Sequence, residues 1–143
     1  MADPWHPTKA SKALMPDSIA IIDDDDDVRE STRQLLRSRG YLTLAFASAE
    51  DFLKSHEVIQ VACVITDIRM PGMSGVALQS HLLNQGKSVP MIFVTAFPER
   101  KLMDQVLAAG ARGFLVKPYA EASLLDCIET ALKNENAATR RSA

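Results

Sequence analysis

The chain of 143 residues contains few cysteines, no long apolar run and no excess of positive charge. Its two cysteines, Cys63 and Cys127, lie in apolar segments, so they resemble small buried side chains and give no disulfide framework or zinc motif. No apolar run is long enough to cross a bilayer or to form a signal peptide, so we expect a cytoplasmic protein. The net charge of −2 excludes a global basic field of the kind that attracts nucleic acid or an anionic membrane.

The length and the average composition predict one globular domain with its own core. Residues 1–17 contain three prolines and no periodicity, and we interpret them as a flexible leader. The domain is expected to cover residues 18–135. Residues 136–143 have lost the apolar pattern and are interpreted as a tail or as a truncated linker.

Apolar segments alternate with helical patterns along the whole domain. Strands are predicted at 18–22, 41–46, 61–66, 90–95 and 113–116, and helices at 27–39, 48–55, 74–85, 98–110 and 121–134. The fourth helix is expected to start with Pro98 as its first helical residue and to stop at Gly110. Short connections and strands that are apolar on both faces predict a doubly wound α/β domain around a five-stranded parallel sheet.

Polar side chains follow four of the five predicted strands. They are Asp23 and Asp24 after the first, Asp67 after the third, Thr95 at the end of the fourth, and Lys117 after the fifth. In such sheets ligands bind beyond the carboxyl ends of the strands, so these groups should converge. Like charges at about 4 Å repel by roughly 4 kcal/mol at an effective dielectric of 20, so the carboxylates require a cation, and Mg²⁺ prefers oxygen ligands. With a hydroxyl and an ammonium beside them, they predict a cradle for a phosphoryl group.

Only part of the acidic run in "IIDDDDDVRE", residues 21–30, belongs to the end of the first strand. Asp25, Asp26 and Asp27 precede the first helix, where negative charge is favoured by the free backbone N–H groups. A calcium-binding loop starting at Asp23 is excluded, since its sixth and twelfth positions would be Val28 and Gln34.

Four segments in this order, "IAIIDD", "VITDIRMPGMSG", "IFVTAF" and "GARGFLVKPY", carry a family resemblance over residues 18–135. The chain resembles a response regulator receiver domain of two-component signalling, the CheY-like superfamily, and is similar to receivers that precede helix-turn-helix output domains. The resemblance implies a flavodoxin-like fold with strand order 2-1-3-4-5. It also implies that a sensor histidine kinase or a phosphotransfer protein donates a phosphoryl group to this chain.

The resemblance assigns the phosphoacceptor and the metal ligands. Asp67 would take up the phosphoryl group. Mg²⁺ (or Mn²⁺) would be held by Asp23, Asp24, Asp67 and the backbone carbonyl of Arg69. Arg69 and Phe97 flank the pocket and are expected to tune the lifetime of the acyl phosphate.

The resemblance also assigns a switch. Thr95 and Lys117 would contact phosphoryl oxygens, the Lys117–Pro118 bond would be cis, and Phe114 would be the aromatic residue that turns inward when Thr95 moves. The 98–133 face would then bind a downstream protein or a second copy of the chain. We expect no direct contact of this domain with nucleic acid or a membrane. Its only catalysis would be its own phosphorylation and dephosphorylation, so it is not a turnover enzyme.

Two alternatives remain open. Residues 24–28, "DDDDV", also satisfy the D-x-D-x-[TV] pattern of haloacid-dehalogenase-like phosphatases, with Asp24 as nucleophile and Asp26 as acid/base. That interpretation leaves "DIRMPG" at 67–72 unexplained, and such enzymes usually need a longer chain. The second alternative concerns the output: the receiver either acts alone through protein contacts or belongs with a DNA-binding domain removed at the linker.

Overall fold

A computed structural model describes residues 14–56 and 60–142, with side chains described for 18–55 and 61–133. Residues 1–13 of the predicted leader lie outside the described residues. The elements are β1 (Leu14–Ile22), α1 (Asp26–Ser38), β2 (Leu42–Phe46), α2 (Ala49–His56), β3 (Gln60–Asp67), α3 (Gly75–Asn84), β4 (Met91–Thr95), α4 (Arg100–Ala108), β5 (Gly113–Val116) and α5 (Glu121–Ser142). Among the described residues, none of the helices is both long and apolar enough to cross a membrane.

The five strands form one parallel sheet in the order β2-β1-β3-β4-β5. This confirms the predicted fold class and strand order. The central strand β3 pairs with β1 on one side and with β4 on the other, for example Thr66 with Ile22 and with Phe93. The strand that Asp23 follows and the strand that ends in Asp67 are therefore neighbours, and the strand that ends in Thr95 lies on the other side of β3.

Side chains of successive β1 residues enter two separate cores. Ile19 and Ile21 pack into the cluster that contains Leu36 and Ile128, on the side of α1 and α5. Ala20 and Ile22 pack into the other cluster, which the helices on the opposite face complete with Phe52, Leu78, Leu82 and Val106. Burying a side chain of this size contributes about 1.5–3 kcal/mol. In the described part of the chain helices cover both faces of the sheet, so side chains at its strand ends can reach solvent.

Two boundaries differ from the predictions by more than two residues. β1 begins at Leu14, because Leu14 and Met15 pair with β3 before a register irregularity that precedes Ile19. Residues 14–17 of the predicted leader thus belong to the sheet. α5 continues to Ser142, so residues 136–142 are helical. Ala, Glu and Arg favour helix, and no Gly or Pro interrupts them.

The prediction for the start of α4 was wrong. Pro98 is not the first helical residue; the helix begins at Arg100, and Glu99 is its N-cap with an extended backbone (φ −124°, ψ 122°). Proline is tolerated in the first turn of a helix, but it does not force the next residue into a helical backbone conformation. The predicted stop is confirmed, since Ala109 is the C-cap and Gly110 follows with a φ of 108°.

Candidate functional site

Three carboxylates meet at the carboxyl end of the sheet. Asp23 directly follows the last residue of β1, and Asp67 is the last residue of β3, so parallel pairing places them side by side. One oxygen from each of Asp23, Asp24 and Asp67 lies within 4.8 Å of the others. Asp23 and Asp67 are 3% and 8% exposed, whereas Asp24 is exposed. The cluster therefore has a buried base and one side open to solvent.

Lys117 offsets part of the negative charge of the buried carboxylates. Its Nζ donates hydrogen bonds of 2.9 Å to Oδ2 of Asp23 and to Oδ2 of Asp67. Burial lowers the pKa of Lys117 and is the largest single influence, but the hydrogen bonds that Lys117 donates to Asp67 and Asp23, together with the attraction of their negative charges, outweigh it. The pKa is therefore raised, and the side chain stays charged between the two carboxylates.

The other oxygen of each buried carboxylate binds the loop that follows it. Asp23 Oδ1 accepts from the backbone N–H of Asp25 at 2.9 Å, and Asp67 Oδ1 accepts from the backbone N–H of Arg69 at 3.2 Å. In each carboxylate one oxygen thus accepts a hydrogen bond from Lys117, and the other accepts one from a backbone N–H of the loop that follows. These contacts fix the orientation of both side chains before any ligand binds.

The aspartate run divides as the sequence predicted. Asp25 is the N-cap of α1 and accepts from the backbone N–H groups of Asp27 and Val28. Asp26 and Asp27 occupy the first helical turn. Sequence reasoning missed Arg29, whose guanidinium donates to the backbone carbonyl of Asp23 at 2.7 Å and to the Asp26 carboxylate. The spacing of Asp26 and Arg29 is a recognisable helical pair, but nothing local indicates the contact with Asp23.

Thr95 and Lys117 lie at the ends of adjacent strands. Thr95 pairs with Val116, and its carbonyl accepts from the backbone N–H of Lys117 at 2.8 Å. Thr95 is 1% exposed, and its Oγ1 accepts from the backbone N–H of Phe97 at 3.1 Å. The hydroxyl therefore caps the turn before α4. The Lys117–Pro118 bond is cis, as expected.

Two aromatic residues occupy contrasting places near this edge. Phe97 is 68% exposed, in the loop after β4. Phe114 lies in β5 opposite Phe93 and packs, partly buried, against the core on the side of α2, α3 and α4. Phe97 is thus open to solvent, and Phe114 is partly exposed.

The loop from 68 to 74 makes two long-range contacts that the sequence did not indicate. The Arg69 guanidinium forms an ion pair with Glu99, the N-cap of α4. Glu50 Oε2 accepts from the backbone N–H of Met73 at 3.0 Å. The partners are 30 and 23 residues apart in the chain, so no spacing rule for helices or turns predicts either contact.

The donor set fits a hard divalent cation. Three carboxylates offer oxygen ligands, and the exposed Asp24 leaves room for water, which Mg²⁺ retains when it binds protein. No histidine or cysteine joins this cluster within the described residues, so a softer transition metal finds no preferred ligand there.

A sequence model of the family described as the response regulator receiver domain matches residues 19–129. The chain belongs to this family. The match contains the whole pocket, from Asp23 to Lys117. Phosphorylation on aspartate and Mg²⁺ binding are typical of receiver domains, and this domain is the receiver of a two-component response regulator.

Relatives with curated functions agree with this assignment. The receiver domain is 39% identical over 115 residues to the response regulator protein TmoT of Ectopseudomonas mendocina, covering 80% of this chain and 52% of the relative. It is 36% identical over 120 residues to the transcriptional regulatory protein FixJ of Azorhizobium caulinodans, covering 82% and 57%. The chain therefore spans about half the length of these relatives.

Solved structures agree as well. The response regulator StyR has a TM-score of 0.78 and 38% identity, over 87% of this chain and 64% of that chain. The structure called FixJ-N has a TM-score of 0.75 and 31% identity, over 81% and 93%. The names of the relatives fit the predicted similarity to receivers of transcriptional regulators, and none of these matches supports the phosphatase alternative.

Proposed function

We propose that this receiver domain takes up a phosphoryl group on Asp67 from a sensor histidine kinase or a phosphotransfer protein. The observation that carries the proposal is the pair of hydrogen bonds from Lys117 to Asp23 and Asp67. These hydrogen bonds place one ammonium group beside both the proposed metal ligand Asp23 and the proposed phosphoacceptor Asp67. Receiver domains act in signalling, and we propose no turnover reaction on an external substrate.

The position of Asp67 in the sheet distinguishes it from the other two carboxylates. It ends the central strand, with Asp23 and Asp24 on the β1 side and Thr95 on the β4 side. A phosphoryl group on Asp67 therefore lies between the carboxylates on the β1 side and the Thr95 hydroxyl on the β4 side. Asp23 follows β1, whose other neighbour is β2, and β2 ends at the apolar side chain of Phe46, which does not bind an anion.

We propose that Asp23, Asp24, Asp67 and the backbone carbonyl of Arg69 hold Mg²⁺ (or Mn²⁺). When bound, the cation neutralises the carboxylates and the oxygens of the phosphoryl group. Asp67 is held by Lys117 and by the N–H of Arg69, so its carboxylate is oriented before the donor arrives.

In the transfer step a carboxylate oxygen of Asp67 attacks phosphorus. The new O–P bond forms as the P–N bond of the phosphohistidine breaks, and the electron pair returns to the imidazole nitrogen, which takes up a proton. Lys117 stabilises the negative charge of the equatorial oxygens. When the signal ends, the acyl phosphate is hydrolysed: water attacks phosphorus, inorganic phosphate leaves, and the Asp67 carboxylate is restored. The flanking residues Arg69 and Phe97 set how readily water enters.

The response of the fold follows from the cap that Thr95 provides. The Thr95 hydroxyl donates a hydrogen bond to a phosphoryl oxygen, which draws Oγ1 away from the N–H of Phe97 and loosens the turn before α4. Phe114 then turns toward the space that Thr95 leaves. The 98–133 face, where Leu107 and Val116 are exposed, reports the change to a downstream protein or to a second copy. No contact with nucleic acid or a membrane is proposed for this domain, and its expected location is the cytoplasm.

The experiment that tests this proposal is mass spectrometry after treatment with acetyl phosphate and Mg²⁺. We expect the wild-type chain to gain one phosphoryl group and Asp67→Asn to gain none. Asp104→Asn, an exposed change in α4, is the matched control and should label like wild type. Labelling that persists in Asp67→Asn but disappears in Asp24→Asn would refute the proposal in favour of the phosphatase-like nucleophile.

The switch is tested separately by amide hydrogen exchange. Phosphorylation should change exchange in residues 95–116, starting at Phe97, whose N–H loses the Thr95 cap. A stoichiometrically phosphorylated chain with unchanged exchange there would contradict the proposed route.

A further inference from the structure

The loop from 68 to 74 connects the phosphoacceptor to α3 and contains the proposed metal ligand Arg69. Its base is closed, because Ile68 N–H donates to the Val94 carbonyl at 3.1 Å and Gly75 N–H donates to the Ile68 carbonyl at 2.9 Å. Its far end is capped by Ser74, whose Oγ accepts from Ala77 N–H. Arg69 itself is held by its N–H on Asp67 and by its ion pair with Glu99, so the tip from Met70 to Met73 remains to be fixed.

Glu50 lies against this tip. Its Oε2 accepts from Met73 N–H, and a Cβ atom at Gly72 would lie only 2.5 Å from the same oxygen. Gly72 has a φ of 77°, which a side chain would also disfavour. The close approach of the carboxylate and the left-handed turn therefore both depend on glycine at this position.

The helix that carries Glu50 is firmly seated. Ala49 and Phe52 on either side of it are buried in the core. Ser48 Oγ accepts from the N–H of Asp51, so a serine caps α2 and the Glu50 carboxylate is left to reach outside the helix. The carboxylate also lies in the first turn, where the helix dipole favours negative charge.

We propose that Glu50 is a positioning residue for the metal pocket, holding the tip of the 68–74 loop so that the Arg69 carbonyl faces the carboxylates. The inference rests on the proposed function. A binding site costs less to occupy when its ligands are ordered beforehand by contacts behind them. Without Glu50 the loop keeps its closed base, but the cation must order the tip on binding.

Three variants test this role in the full chain. Glu50→Ala removes the acceptor, Glu50→Gln keeps an acceptor without charge, and Asp51→Ala removes the neighbouring exposed charge from the same turn. The apparent Mg²⁺ dissociation constant is measured by calorimetry at fixed ionic strength, well below each thermal midpoint. We expect Glu50→Ala to weaken binding about three- to tenfold, the fold-change that corresponds to the net contribution of one ordinary hydrogen bond. Glu50→Gln and Asp51→Ala should stay within about twofold of wild type, since only a screened charge is lost.

Amide exchange of Met73 in the metal-free chain gives a second readout that does not depend on metal or phosphate. Exchange should be faster in Glu50→Ala and unchanged in Asp51→Ala. Glu50→Ala matching Asp51→Ala in both measurements, or Glu50→Gln losing as much affinity as Glu50→Ala, overturns the positioning role. A wild-type chain that takes up neither Mg²⁺ nor a phosphoryl group would instead remove the proposed function, and the role of Glu50 with it.

Discussion

Replacing Lys117 by methionine is the most direct perturbation of the pocket. The change keeps an unbranched apolar stem of similar length and removes the ammonium group that bridges Asp23 and Asp67. Both carboxylates then keep their loop hydrogen bonds but lose their shared cation. In the absence of Mg²⁺ we expect a less stable protein.

The magnitude follows from the distances. Charges about 4.8 Å apart, the limit within which the carboxylate oxygens lie, repel by roughly 3.5 kcal/mol at an effective dielectric of 20. Leaving a buried charged group without its hydrogen bond costs about 1.5–3 kcal/mol, and breaking a fully buried pair costs about 3–5 kcal/mol. The Lys117 side chain is 18% exposed, so water that enters the site hydrates the carboxylates and offsets part of this cost. We expect a net loss of about 2–4 kcal/mol, or roughly 8–15 °C in the thermal midpoint for a domain of this size.

The assay is thermal and chemical unfolding of wild type and Lys117→Met with EDTA and with saturating Mg²⁺. The variant should bind Mg²⁺ more tightly, because the competing ammonium group is gone. Stabilisation by a ligand grows with the ratio of its concentration to its dissociation constant, so at one Mg²⁺ concentration the tighter-binding variant gains more and the gap between the two proteins should narrow. Lys101→Met, an exposed change in α4, is the matched control and should show no such gap.

Two results would refute this reasoning. An unchanged or higher midpoint in EDTA would mean that the carboxylates are neutralised without Lys117. A gap that widens on addition of Mg²⁺ would mean that Lys117 assists the cation and does not compete with it.

Three further predictions concern single residues. Asp25→Ala removes the cap of α1 and should lower the unfolding free energy by about 1 kcal/mol in a denaturant titration. Gly75→Ala would place a Cβ atom 2.4 Å from the backbone carbonyl oxygen of Asp67, so the backbone must shift, and we expect a loss of about 3 kcal/mol or more by the same measurement. Burial raises the pKa of Cys63 to about 12, so its thiol should resist alkylation in the native chain while the partly buried Cys127 reacts. Because the folded-state pKa of Cys63 is raised, the stability it contributes is present below its ordinary pKa and is lost as pH rises toward about 12.

Each of these has its own control. Asp27→Ala, in the first turn of α1 but without the capping bond, should cost less than Asp25→Ala; the reverse order would contradict the assignment of the cap. A Gly75→Ala chain as stable as wild type would mean that the loop accommodates the side chain. Equal alkylation rates for the two thiols would mean that Cys63 is not sealed in the core.

Much of the fold could be predicted from local patterns of apolar residues and glycines in the sequence. Parallel strands buried on both faces read as continuous apolar runs, and Gly110 stops α4 where the pattern ends. The start of α4 was misjudged, because Pro98 is compatible with a helix start without enforcing one. The early start of β1 at Leu14 depends on a partner strand, and no property of residues 14–17 alone shows that pairing.

The sequence by itself determined which groups stand at the ends of the strands. Asp23, Asp67, Thr95 and Lys117 each follow or end an apolar strand, and parallel topology then requires that they share one edge of the sheet. This holds because strand direction and alternation are local properties of the chain.

Only the tertiary structure decided what these groups touch. Lys117 bonds to carboxylates 94 and 50 residues away, Arg29 reaches the carbonyl of Asp23, and Glu50 holds a loop 23 residues further along the chain. Such contacts depend on where loops and helix termini come to lie after the sheet has formed. Their geometry is set by packing across elements, which no spacing within a single element encodes.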